Sequence, residues 1–275
     1  MTRRCKWVLM AAGVLVSLTL ISAPPALADN LFGYHYTDRN LYRVSETDAS
    51  VTLIGNTGLT IGGMELYTDG FLYGITPGTG ATLYRIDPSN AVATEIGPLG
   101  LSFVFEGALA FSPDGVLYGT NGDAAANPQL FTVDMETGAA TVIGTISNPP
   151  HDVNGLAWRS DGMLVGLDGN TNMLIEINPS NAASSVITTL TPSAGNAGGM
   201  AVFDGTGYFA TGGSVVGGTN ELYSFDLFTG EHTLIGGFPE VITGLGMSAL
   251  AAVPEPGCLS LLALGGLAVM SRRRR

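Results

Sequence analysis

Gly107-Ala-Leu-Ala-Phe-Ser-Pro-Asp-Gly-Val-Leu-Tyr-Gly119 is the stretch whose reading decides the fold. A run of small and apolar residues meets Asp114-Gly115, and a second short apolar run ends on glycine. Asp-Gly supplies the positive φ of a tight hairpin, so the stretch reads as two antiparallel strands. The pair recurs. Its first strand reappears as Gly63-Met-Glu-Leu-Tyr67, Gly155-Leu-Ala-Trp158 and Gly199-Met-Ala-Val-Phe203. Its turn reappears as Asp69-Gly70, Asp161-Gly162 and Asp204-Gly205, and its second strand as Leu72-Tyr-Gly74, Leu164-Val-Gly166 and Tyr208-Phe-Ala210. Beyond each hairpin comes a third strand: Leu41-Tyr-Arg-Val44, Leu83-Tyr-Arg-Ile86, Leu130-Phe-Thr-Val133, Leu174-Ile-Glu-Ile177 and Leu222-Tyr-Ser-Phe225, with starts 42, 47, 44 and 48 residues apart. A fourth strand follows, as in Val51-Thr-Leu-Ile-Gly55 and Thr233-Leu-Ile-Gly236. Four short strands per unit at a period of roughly 40–50 residues point to a β-propeller.

The register is offset at the ends. The first strand of the body, Leu31-Phe-Gly33, is a second strand with no Gly-type strand before it. The missing piece stands at the far end as Gly244-Leu-Gly-Met-Ser-Ala-Leu250. Pairing the two gives an all-β fold over residues 29–252: a five-bladed β-propeller of four-stranded blades, closed by N- and C-terminal strands. Such a ring leaves no long exposed sheet edge. A β-sandwich pair is the weaker alternative. The blade pattern resembles the NHL, Kelch-like and lactonase-like propeller group, which shares a Gly-apolar-Ala-apolar strand followed by Asp-Gly and Leu-Tyr-Gly. That resemblance implies a fold rather than an activity.

Both ends of the chain differ in kind from the body. Arg3, Arg4 and Lys6 precede a mostly apolar segment at 7–21 and Ala26-Leu-Ala28. This is the pattern of a cleaved secretory signal peptide, over residues 1–28. At the other end, Pro254-Glu255-Pro256 precedes an apolar run of 13 residues, 258–270, and then Arg272, Arg273, Arg274 and Arg275. A helix of that length covers about 20 Å, short of the ~30 Å hydrocarbon core. The arginines can snorkel and favour the cytoplasmic side. The three-part tail over 253–275 resembles the PEP-CTERM sorting signal. That resemblance implies a short C-terminal membrane helix, transient inner-membrane insertion and processing by a sorting peptidase of the exosortase type. The expected destination is the cell surface or the extracellular matrix.

Composition narrows the partners. The two cysteines, Cys5 and Cys258, fall in the end segments, so the body has no disulfide framework. Residues 29–252 hold four arginines (Arg39, Arg43, Arg85 and Arg159), no lysine and 22 carboxylates, for a net charge near −18. Nucleic acid is disfavoured, because phosphate binding needs Lys and Arg. Extracellular glycans or proteins fit better.

In a propeller the loops entering the first strands gather on one face with the loops between second and third strands. This brings Glu106, His151, Asp152, Asn154, Glu240 and His35 toward one channel mouth. No cofactor is required, although oxygen-rich side chains there suit calcium. Glu65, Glu106 and Glu240 are candidate carboxylates for the alternative reading, a surface hydrolase or lyase. Glu65 lies among apolar neighbours, where burial raises a carboxyl pKa. The three histidines, His35, His151 and His232, are scattered and no Gly-x-Ser-x-Gly elbow accompanies them. The leading expectation is therefore an exported, non-catalytic binding or structural module.

Overall fold

The computed structural model describes residues 31–122, 128–146, 152–192, 197–211, 220–238 and 247–252, which form strands and turns without a helix. The expected signal segment and the tail, with Pro254, Glu255, Pro256 and residues 272–275, lie outside the described residues.

Blade I holds β1 (Leu31–His35), β2 (Asn40–Val44) and β3 (Val51–Asn56). Blade II is β4 (Gly63–Leu66), β5 (Leu72–Ile75), β6 (Thr82–Ile86) and β7 (Ala93–Pro98). Blade III is β8 (Ala108–Phe111), β9 (Leu117–Thr120), β10 (Gln129–Val133) and β11 (Ala140–Thr145). Blade IV is β12 (Val153–Trp158), β13 (Leu164–Asp168), β14 (Met173–Ile177) and β15 (Ser184–Thr189). Blade V is β16 (Ala197–Phe203), β17 (Thr206–Thr211), β18 (Glu221–Phe225) and β19 (His232–Gly237). β20 (Met247–Ala252) returns to blade I and pairs antiparallel with β1, Leu31 opposite Ala252 and Gly33 opposite Leu250. Each blade is thus an antiparallel four-stranded sheet. The inner strands stand side by side in the order β20, β4, β8, β12, β16, and β16 returns to β20. The protein is a five-bladed β-propeller, closed as the offset predicts.

The core is five seams between blades. Phe32, Leu41, Met64 and Leu72 fill the seam of blades I and II. Ile75, Leu83, Leu109 and Phe131 fill the next, and Leu130, Leu156 and Ile175 the third. Val165, Leu174, Phe209 and Tyr223 join blades IV and V. Leu31, Tyr42, Tyr208 and Leu222 close the ring between V and I. Strand alternation produces this arrangement, because each sheet has two apolar faces and each meets a neighbour.

One local device repeats in all five blades. The outer strand pair carries a bulge whose extra residue is Ile54, Ile96, Ile143, Ile187 or Ile235. Each isoleucine packs into the seam with the following blade. In four blades the next residue is glycine, and the following blade's outer turn rests on it. A Cβ at Gly55 would lie 2.9 Å from the Asn90 carbonyl oxygen, and one at Gly97 only 2.2 Å from that of Thr137. In blade IV Thr188 takes the glycine position and the relief moves across the seam, where a Cβ at Gly230 would lie 2.2 Å from Thr188 Cγ2. Ala49, Ala91 and Ala182 occupy the matching turn position at φ of 60°, 62° and 60° and are fully buried. A left-handed alanine costs about 1 kcal/mol, which the buried methyl offsets against the preceding blade's glycine. The bulges also twist the outer edges away from pairing with other chains.

Blades IV and V share a polar latch. Arg159 is buried; its Nε and Nη2 donate to Asp161 Oδ1 and Oδ2 at 2.9 and 2.8 Å, and Nη2 also bonds Glu176. The guanidinium carbon lies 4.6 Å from the centroid of the Phe228 ring in the outer turn of blade V.

The seam device makes a direct prediction. Gly97→Ala forces the new methyl against the Thr137 carbonyl and should destabilise the fold by about 3 kcal/mol, the upper range for overpacking. In a domain of this size that lowers the melting temperature by roughly 6–12 °C, to be read by calorimetry. Gly58→Ala, where nothing lies within 4 Å, is the control for backbone strain alone, since Gly58 has a φ of 73°.

Candidate functional site

The inner strands begin, and the second strands end, at one mouth of the channel. A glycine opens the inner-strand motif in blades II to V: Gly63, Gly107, Gly155 and Gly199. Gly63 and Gly155 let neighbouring inner strands approach closely. A Cβ at Gly63 would lie 2.7 Å from Ala108 Cα, and one at Gly155 2.6 Å from Met200 Cβ. The axial cavity that remains is about 10 Å³, lined in part by Gly63, Ala108, Asn154 and Gly199. That is room for about one water molecule.

The residues just before these glycines are Gly62, Glu106, Asn154 and Gly198. Glu106 and Asn154 therefore hold equivalent places on the neighbouring blades III and IV. A Cβ at Gly62 would overlap the Glu106 carbonyl, so only glycine fits in the place before it. Glu106 is half-buried and its carboxylate makes no hydrogen bond among the described residues; desolvation pushes its pKa up. Asn154 sits at a bulge between Val153 and Gly155, opposite Leu167 and Asp168. It is 8% exposed, and its Oδ1 is buried without a hydrogen-bond partner. Gly122 joins the two places: a Cβ there would lie 2.5 Å from the Gly107 nitrogen and 3.1 Å from Asn154 Oδ1.

The other expected residues have different surroundings. His35 is fully buried at the end of β1, with Nδ1 3.2 Å from Asp38 Oδ2. Asp152 and Asp168 are buried together. The Asp152 amide donates to Asp168 Oδ2 at 3.3 Å, and Asn170 Nδ2 donates to Asp152 Oδ2 at 2.7 Å. Asp168 Oδ1 accepts the Asn170 and Thr171 amides at 2.9 and 3.0 Å. Asn121 and Thr211 brace the equivalent hairpins of blades III and V, accepting the Gln129 and Glu221 amides at 2.7 and 2.9 Å. Second-strand ends thus serve as hairpin braces, and Asp168 spends oxygen lone pairs on N–H donors. Among the described residues no group of three His, Cys, Asp or Glu side chains could hold a metal ion. His151 and Glu240 lie outside the described residues.

Two residues at the mouth escaped the sequence reading. Phe103 and Phe105, on the loop into β8, are 38% and 50% exposed, with ring centroids 6.4 Å apart. Val104 between them is fully buried and bridges to Gly78. The alternation Phe-Val-Phe before Glu106 carries the signal, since an inward Val104 turns both neighbours outward.

Glu65 lies three strand positions below the level of Glu106, roughly 10 Å at 3.3 Å per residue. It shares the face of β4 that carries Tyr67, and burial pushes its carboxyl well above the usual range. The sign of the stability effect follows. Below the ordinary glutamate pKa both folded and unfolded states are protonated. As pH rises the unfolded chain ionises first, and the folded state loses stability. Glu65→Gln should therefore melt higher than the parent at pH 7, with the gap closing toward pH 4. A gap independent of pH would contradict the desolvated carboxyl.

Comparison with solved structures finds this fold elsewhere at low identity. A structural genomics protein of unknown function from Bacteroides thetaiotaomicron matches with a TM-score of 0.52 at 18% identity, covering 80% of this chain. The chain spans 64% of that protein's length. A chain of a nidogen/laminin complex matches with a TM-score of 0.52 at 16% identity, covering 82% of this chain and 86% of its own. No curated protein matches. Residues 106–246, just over half of the sequence, match a family of repeats, and the chain belongs to that family, the repeat of unknown function DUF6923.

Proposed function

We propose that the protein is an exported, non-catalytic binding module that uses the channel mouth of a rigid propeller. The observation that carries this reading is the pair formed by Glu106 and Asn154. Glu106 is half-buried and Asn154 Oδ1 is buried, neither acceptor has a hydrogen-bond partner among the described residues, and they stand on neighbouring blades III and IV. A buried acceptor left unmet costs about 1–3 kcal/mol, which a ligand's donor can recover. The signal segment at 1–28 and the tail with Pro254, Glu255 and Pro256 support export and sorting to the cell surface or matrix. The tail would follow directly on β20, so the tether would hang from the ring's closing seam.

The rival reading is a surface hydrolase or lyase. In its favour, burial raises the carboxyls of both Glu65 and Glu106. Against it, no Gly-x-Ser-x-Gly elbow accompanies the three histidines.

Intact mass spectrometry of protein from the native envelope and medium tests the sorting half. A mature chain from Asp29 to near Pro254–Pro256 is expected, whereas a chain ending at Arg275 contradicts tail removal. Co-sedimentation with matrix material from the producing cells tests the binding half. Retention should fall about tenfold, near 1.4 kcal/mol, when the Glu106 acceptor is changed to Gln. Undiminished retention would move the site off the mouth.

A further inference from the structure

We propose that the face of the ring carrying the Asp-Gly turns is its membrane-facing side, and that the mouth is held away from the bilayer. This rests on the reading of the tail as a membrane segment and adds the orientation of the ring. β20 starts at the mouth, where Met247 stands opposite His35, and ends on the other face, where Ala252 stands opposite Leu31. The chain that follows, with the apolar run at 258–270 and the four arginines, therefore leaves the ring on the face of the turns. β1 begins at the same place, so the apolar segment at 7–21 joins the ring on that face too.

The length of the linker makes the orientation strict. β20 is the innermost strand of its sheet, followed outward by β1, β2 and β3. Only residues 253–257 separate it from the apolar run, and five residues fully extended span about 17 Å. To bring the apolar run to the mouth, the linker would have to run back over the depth of the ring. β20 has six residues, and a strand of that length is about 20 Å deep. A path round the rim also crosses the width of the blade, roughly 14 Å for three strand spacings. The linker is too short for either path, so the bilayer lies beyond the turns.

Charge decides what holds this face near the membrane. The turns between first and second strands in blades II to V carry Asp69, Asp114, Asp161 and Asp204, all exposed. The body has no lysine to offset them. Arg159, beside the turn of blade IV, is buried and bound by Asp161 and Glu176. Anionic headgroups repel such a face over about one Debye length, ~10 Å at 0.1 M salt. The face therefore has no electrostatic adhesion of its own, and the exit point and the short linker set the orientation.

Fluorescence energy transfer to an acceptor on lipid headgroups tests this, in the chain from Asp29 to Arg275 bound to vesicles of phosphatidylethanolamine and phosphatidylglycerol. With Cys258→Ser no cysteine remains in that chain. One donor dye is then placed at a time, through Thr68→Cys in the turn between β4 and β5 or Thr37→Cys in the mouth turn between β1 and β2. Both threonines are exposed. The expected result is several-fold greater transfer from the Thr68 site, because the depth of the ring, about 20 Å, separates the two. Inserting about 20 Gly and Ser residues after Ala252, a flexible chain reaching about 25 Å, should remove most of the difference. Co-sedimentation with equal transfer from both sites, or with more from the Thr37 site, would overturn the orientation while keeping the tail as an anchor. A difference that survives the insert would mean that the turn face itself binds lipid, and would overturn the role of the linker. Failure to co-sediment with the vesicles would reject the tail as a membrane segment, and the orientation with it.

Discussion

The structure depends on how one blade's outer strand receives the next blade's turn. Each fourth strand bulges at an isoleucine, which drops into the seam, and the following position is stripped to glycine so that a turn can rest on it. Where the strand has Thr188 instead, the turn supplies Gly230. The contact needs a void on one side or the other, and which side supplies it is free. Because it recurs in all five blades, the ring has no single keystone, and its stability is spread over five similar seams. Seams of equal shape also fix the angle between neighbouring blades, which is what a closed ring requires.

The same economy of side chains operates at the hub. Five inner strands can converge only if their facing positions are small, and Gly63 and Gly155 meet that need toward Ala108 and Met200. Where the strand starts converge, a cavity has room for about one water. On the mouth face the equivalent place before each glycine is itself glycine in blades II and V, while blades III and IV carry Glu106 and Asn154. The ring's symmetry is broken where polar groups are left unmet, and that asymmetry is the strongest indication of a site.

Much of this was legible in the sequence. The hairpin signal Asp-Gly, the spacing of the Leu-Tyr-Arg-Ile type strands and the offset ends specify five blades and their closure, because turn chemistry and strand periodicity are local. Glu106 and Asn154 stood out only as members of the loops entering the first strands, without their hydrogen-bonding state. The surroundings of His35 and Asp152 were not legible. Whether a polar side chain braces its own hairpin depends on which backbone amides face it, and bulges reset that from blade to blade. The isoleucine bulge was hidden for the same reason: Thr-Leu-Ile-Gly reads as a plain strand until its partner's register is known. The exposed Phe103–Phe105 pair was hidden by being apolar, since an aromatic in a loop is ordinarily assigned to the core.

Ring closure by β1 and β20 is the claim on which the hub, the mouth and the placing of the tail all rest. Hydrogen exchange of the amides in Leu31–His35 tests it most directly. With β20 on one side and β2 on the other, every amide of β1 is held, and its exchange should be as slow as that of the second strands β5, β9 and β13. Fast exchange at alternate residues of β1, as from a strand with one open edge, would contradict the closed five-bladed ring.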